Sequence, residues 1–240
     1  MSDLRIALIA EGPTDRILIE AALSAIIPTP FVLTLIQPEQ TLDQVGGIGG
    51  GWGGVCEWCH RSVLRGKGVL EDDPTLLYDL FIVHLDADVA GMRYSDCRPP
   101  KDAVAQDNQW GQLPCALPCP SPQDSVTPLR TVLLSWLGNI APGQRTIICI
   151  PSKAVESWLA AAVLPVGAPL LNNIECNLNM ENGLKILSKD LRIKKGRTEY
   201  LKHARTVQQQ WERVRELCVQ AEIFHHDVVS AFQNLAANQP

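Results

Sequence analysis

Ile6-Ala7-Leu8-Ile9-Ala10-Glu11-Gly12-Pro13-Thr14-Asp15 is an unbroken apolar run that ends in an acidic, turn-forming cluster. Consecutive apolar residues closed off by Gly and Pro read as a strand buried on both faces, the pattern of a parallel sheet. Downstream, Ile17, Leu18, Ala21, Ala22 and Ile26 recur at helical spacing, and Pro28 and Pro30 stop that helix. Residues 31–36 form a second apolar run. Strand, helix and strand in about thirty residues is the signature of a βαβ unit.

The alternation continues further along. Leu80-Phe81-Ile82-Val83-His84-Leu85 leads into Asp86-Ala87-Asp88, and Thr146-Ile147-Ile148-Cys149-Ile150 leads into Pro151-Ser152-Lys153. Helices are expected over 55–67, 126–138 and 153–163. Residues 46–54 carry seven glycines in nine positions. They are expected to be irregular, either a flexible connector or a phosphate cradle without the Lys-Ser/Thr ending of a Walker loop. Residues 89–125 hold six prolines and read as an insertion that leaves the sheet after Asp88 and overhangs the acidic edge. Beyond Pro169 the pattern is helical, with helices expected at 183–191, 198–219 and 221–236. The predicted fold is α/β, a mostly parallel sheet flanked by helices over residues 1–165, followed by a helical C-terminal region at 166–240.

Composition sets bounds on this reading. A chain of 240 residues, 46% hydrophobic and 20% charged, can bury a sizeable core. No apolar stretch approaches the ~20 residues that span a bilayer. The N-terminus lacks a signal-peptide pattern, so a cytoplasmic location without membrane contact is expected. The net charge of −5 hides a segregation: residues 185–205 carry eight of the 21 Lys and Arg and sum to +6, leaving −11 elsewhere. Lys189, Arg192, Lys194, Lys195 and Arg197 are therefore candidate phosphate contacts for a nucleic acid, with a solvated helical face as the plainer alternative. Among the eight cysteines, Cys149 and Cys218 sit in apolar patterns as small hydrophobes. Cys56-Glu57-Trp58-Cys59-His60 with Cys97, Cys115 and Cys119 offers a possible Zn²⁺ set.

The chemistry gathers at the strand ends. Functional groups in open parallel sheets collect beyond the carboxyl ends of the strands. Glu11, Asp86 and Asp88 are expected to meet there. Clustered carboxylates call for a hard cation, Mg²⁺ or Mn²⁺, which would polarise a phosphoryl oxygen. Asp15 either reaches the same ion or caps its helix. Lys153 and Glu156, three residues apart, are expected on one face of a first helical turn. Glu156 would hold a second ion or its water, and Lys153 would neutralise developing charge; the alternative is an intrahelical ion pair with Trp158 in the core. His84 is expected to point away from Asp86, into the packing between sheet and helix, and His225-His226 to lie on the surface.

The Glu-Gly-x-Thr-Asp stretch after the first strand, Asp-x-Asp after a later one and Glu-Ser-Trp-Leu after another resemble the Toprim fold of topoisomerases, primases and OLD-family nucleases. The likeness covers residues 4–160 and is closest to small bacterial Toprim-like proteins linked to phage defence or mobile elements. It implies that Glu11 is a metal ligand or general acid/base and that Asp86 and Asp88 hold Mg²⁺. Glu156 matches only the motif of the narrower subgroup, and the insertion departs from a compact Toprim domain. The expectation is a Mg²⁺-dependent nuclease cleaving DNA or RNA, with a protein partner in a defence system as a further possibility. The alternatives are a non-catalytic binding module and a small-molecule phosphotransferase or phosphatase.

Overall fold

Four short strands form the centre of the molecule: β1 (Leu4–Ile9), β2 (Phe31–Gln37), β3 (Leu80–His84) and β4 (Thr146–Cys149). The computed structural model describes residues 3–38, 49–65, 70 and 77–237. All strand pairs are parallel, in the order β2-β1-β3-β4. Around them lie α1 (Pro13–Ile26), α2 (Gly51–Leu64), α3 (Asp102–Asp107), α4 (Gln123–Trp136) and α5 (Glu156–Val163). The chain then continues through α6 (Met180–Ile186), α7 (Arg197–Gln209), α8 (Trp211–Leu217) and α9 (Val219–Ala237). The architecture is α/β, an all-parallel sheet flanked by helices, as the alternating apolar runs predict.

Alternation along each strand sorts its residues into two layers. Ile6, Leu8, Leu80, Ile82, Ile147 and Cys149 face α1, α5 and the C-terminal helices α6–α9. Ala7, Ile9, Phe81, Val83, Leu85 and Ile148 face α2 and α4. Covering both faces is what lets the strands be apolar throughout, and each fully buried Ile, Val or Phe contributes roughly 1.5–3 kcal/mol. The helices beyond residue 166 are integral to the first layer. Trp158 of α5 packs against Trp211 and Phe224, with ring centroids 5.3 and 5.4 Å away.

Several expectations need correcting. The glycine-rich stretch is irregular only in part: Gly49 and Gly50 precede the helix, Gly51–Gly54 form the first turn of α2, and Gly46–Ile48 fall outside the described residues. Gly54 is required by close approach, since a Cβ there would sit 1.8 Å from the Gly49 carbonyl oxygen and 2.4 Å from Gln37 Nε2. The end of the expected 55–67 helix also lies outside the described residues. Helix α5 starts at Glu156 and not at Lys153, because Lys153 takes a left-handed backbone (φ 61°) that no right-handed helix accommodates. The expected 198–219 helix is two helices that break at Gln210. The insertion folds into short helical turns at Ala87–Gly91 and Tyr94–Asp96 and into α3, and sends Val89, Ala90, Tyr94 and Trp110 into the α2–α4 layer.

Cys119 of the insertion is disulfide-bonded to Cys176. Beside it, the buried Glu175 carboxylate accepts hydrogen bonds from Ser152 Oγ (2.9 Å), Val219 N–H (2.9 Å) and Gln220 N–H (3.0 Å). It thereby satisfies otherwise unpaired donors at the start of α9. Among the described residues no helix is long and apolar enough to cross a membrane.

Candidate functional site

The strand order 2-1-3-4 fixes where a ligand crevice opens. The chain turns to one side after β1 and to the other after β2, so the connections diverge between the carboxyl ends of β1 and β3. Glu11 follows β1 and Asp86 follows β3, directly across that switch point. Glu11 Oε1 accepts a hydrogen bond from the Asp86 N–H at 2.8 Å. The Asp86 carboxylate in turn accepts from the Val155 N–H at 3.0 Å, which ties the β3 end to the turn before α5. Asp88 lies in the helical turn Ala87–Gly91, its N–H donating to the Lys153 carbonyl at 3.1 Å.

His84 joins these carboxylates, contrary to expectation. It precedes Asp86 by two residues, and the period of two puts both side chains on the same face of the sheet. Its Nε2 lies 3.3 Å from Asp86 Oδ1 and its Nδ1 3.9 Å from Asp15 Oδ2. The ring is 0% exposed, and neither nitrogen has the alignment of a hydrogen bond. Asp15 also caps α1, accepting from the Gly12 N–H at 2.8 Å. Of the two roles open to it, the cap is the one its geometry makes.

Glu156 lies at the start of α5 and is 1% exposed. Its Oε1 accepts from the Tyr200 hydroxyl at 2.8 Å and from Lys195 Nζ at 3.0 Å. Lys195 is also 3.3 Å from Glu181 Oε2. The expected pairing of Glu156 with Lys153 on one helical face is thus replaced by partners from the C-terminal helices, while Trp158 is in the core as the alternative reading had it. Lys153 is 8% exposed and its ammonium makes no hydrogen bond or ion pair with the described residues, yet it lies close enough to draw down the pKa of Asp88.

Electrostatics follow from this crowding. Burial and the facing Asp86 carboxylate push Glu11 up to about 8. Burial raises Asp86 to about 7, against the opposing pull of His84. Asp15 and Asp88 are also raised, chiefly by burial. His84 goes up to about 9 although burial alone would lower it, because Asp86, Asp15 and Glu11 surround it. The edge holds more acid than its built-in cations His84, Lys153 and Lys195 balance.

Among the described residues no group of three or more His, Cys, Asp or Glu side chains is placed so that it could hold a metal ion. The donor set nevertheless suits Mg²⁺. That ion takes hard oxygen ligands, is commonly held by only one or two carboxylates, and completes its shell with waters and substrate phosphates. Glu11 and Asp86, in contact and each with a second carboxylate oxygen, provide such a pair. The thiols suit Zn²⁺ less well: Cys119 is taken by its disulfide, and burial pushes Cys56, Cys59 and Cys97 toward the neutral thiol.

The candidate phosphate contacts occupy one stretch. Lys189, Arg192 and Lys194 are exposed in the connection between α6 and α7, and Arg197 opens α7. Lys195, from the same run, turns inward to Glu156. His226 is largely exposed, while His225 is half-buried and accepts from Trp211 Nε1 at 3.3 Å. The sequence reading missed His84, Tyr200 and the inward turn of Lys195. The first was readable from strand alternation; the others depend on how α6 and α7 pack. Comparison with protein-family models, curated proteins and solved structures gives no match.

Proposed function

We propose that the protein carries out Mg²⁺- or Mn²⁺-dependent phosphoryl transfer on nucleic acid, as a nuclease of Toprim type that cleaves phosphodiester bonds. The observation that carries this reading is the contact of Glu11 with Asp86 across the β1–β3 switch point, with Asp88 two residues on. A divalent ion bound there supplies a Lewis acid that polarises a phosphoryl oxygen and acidifies a water. Glu11 and Asp86 would hold that ion, with Asp88 as the neighbouring third acid. Lys153, largely buried and with no partner for its ammonium among the described residues, is a ready partner for a phosphate oxygen beside Asp88. Lys189, Arg192, Lys194 and Arg197 contact flanking phosphates of DNA or RNA. The Toprim resemblance extends the reading to phage defence or a mobile element, with a protein partner there.

The test is cleavage of single- and double-stranded DNA and RNA with Mg²⁺, Mn²⁺ or EDTA, for the native chain and Glu11→Gln. Cleavage that needs the metal and is lost in Glu11→Gln is expected. Equal cleavage in EDTA would refute the proposal.

A second reading, a non-catalytic binding module, is favoured by one observation. His84 and Lys195 already place cations against Asp86, Asp15 and Glu156, and so partly compensate the acidic edge. Calorimetry separates the two, since the module predicts no Mg²⁺ or Mn²⁺ binding that depends on Asp86.

A further inference from the structure

We propose that Lys195 is a tethered cation standing in the second-cation position of this site, so that the protein binds one divalent ion and not two. The inference rests on the metal-dependent reading above. Glu156 is almost wholly enclosed, and an ionised carboxylate in such a place needs a compensating charge and satisfied oxygens. Tyr200 and Lys195 provide both, at 2.8 and 3.0 Å from the same Oε1 atom. Glu181 holds the ammonium from its other side at 3.3 Å.

An ammonium and a divalent ion compete for that oxygen. Mg²⁺ takes its ligands at about 2.1 Å in a strict octahedron, whereas the ammonium hydrogen bond requires about 2.8 Å. The two cations also repel each other at such range, so occupancy is exclusive. The lysine is held there by carboxylates more than by packing, because its side chain is 40% exposed and rises from the connection between α6 and α7. A sequence reading that assigns Lys195 to the outer phosphate contacts misplaces it. Its charge is directed into the acidic edge, while Lys194 and Arg197 remain outside.

Counting bound Mn²⁺ tests the proposal without reference to activity. Free Mn²⁺ would be measured by electron paramagnetic resonance during titration of the full chain, of Lys195→Met and Lys195→Gln, and of each combined with Glu156→Gln. Circular dichroism would check the fold of each. One Mn²⁺ per native chain, two in both Lys195 variants, and a return to one when Glu156→Gln is added are expected. Lys195→Arg, which keeps the charge, should stay at one. Two ions in the native chain, or the same count in native and Lys195 variants, overturns the inference while leaving the metal-dependent reading intact. No Mn²⁺ bound by any of the proteins overturns that reading, and this inference with it.

Discussion

Glu11 and Asp86 lie 75 positions apart in the chain, and the side chain of the first receives the backbone N–H of the second at 2.8 Å. The bond joins the ends of adjacent parallel strands β1 and β3. One carboxylate thus fixes the loop that carries the other acids, and the acceptor geometry does not itself require a negative charge.

Glu11→Gln should therefore separate structure from chemistry. The amide oxygen can still accept from Asp86 N–H, so the fold should be kept, and the metal-free variant should gain stability near neutral pH because the amide has no proton to take up on folding. Cleavage should fall by about 100-fold or more through loss of an anionic metal ligand. Retention of most of the activity in a steady-state assay would argue against the assigned role.

The pH dependence of stability should have a definite sign in the metal-free protein. Glu11 rises from 4.5 to about 8 and Asp86 from 3.8 to about 7 on folding, so the folded state binds more protons than the unfolded chain in between. His84, raised from 6.5 to about 9, adds stability that is complete below 6.5 and lost as pH passes about 9. All three make stability fall as pH rises through this window. Thermal melts in EDTA should drop between pH 6 and 9, and Mg²⁺ should flatten the slope by stabilising the ionised carboxylates. A melting temperature that climbs with pH in EDTA would contradict these shifts.

His84→Ala should be severe. It removes the buried cation between Asp15 and Asp86 and leaves two crowded carboxylates facing a void. Breaking a buried charge pair in this way costs about 3–5 kcal/mol. Denaturant unfolding should report that loss, and adding Asp15→Asn should restore part of it.

Tyr200→Phe isolates the bond between α7 and Glu156. A hydrogen bond to a buried charged group contributes about 1.5–3 kcal/mol, and the ring packing is unchanged in the variant. Urea unfolding should show a loss of that size, and a loss near zero would mean that Lys195 alone satisfies Glu156.

The outer basic residues should act through salt. Replacing Lys189, Arg192, Lys194 and Arg197 by Ala should weaken nucleic-acid binding and flatten its salt dependence. The slope should shrink by about 0.7–0.9 for each phosphate that is no longer neutralised. An unchanged slope, measured by fluorescence anisotropy across a salt series, would move the nucleic-acid surface elsewhere.

What the sequence makes legible here is what is local. Apolar runs place all four strands, and the proline-stopped helical spacing after Asp15 places α1. The position of Glu11 and Asp86 at strand ends follows from the same runs, because parallel strands all point one way. Lys153 misleads because its three-residue spacing from Glu156 suits a helix, while the left-handed turn that carries it is held by the Asp88 N–H on the Lys153 carbonyl and the Val155 N–H on the Asp86 carboxylate. The glycines of 51–54 mislead because propensity alone argues against helix, whereas the close approach of Gly49 and Gln37 demands the missing side chain at Gly54. Tyr200 and Lys195 could not be foreseen, since nothing near them in the chain records that α7 crosses Glu156.

Trp158, wedged against Trp211 and Phe224, has a practical consequence. A fragment trimmed after residue 165 would present a greasy wall to water, with that indole at its centre, and would clump instead of standing alone. A shortened form that folds should have to keep the helices that carry Trp211 and Phe224.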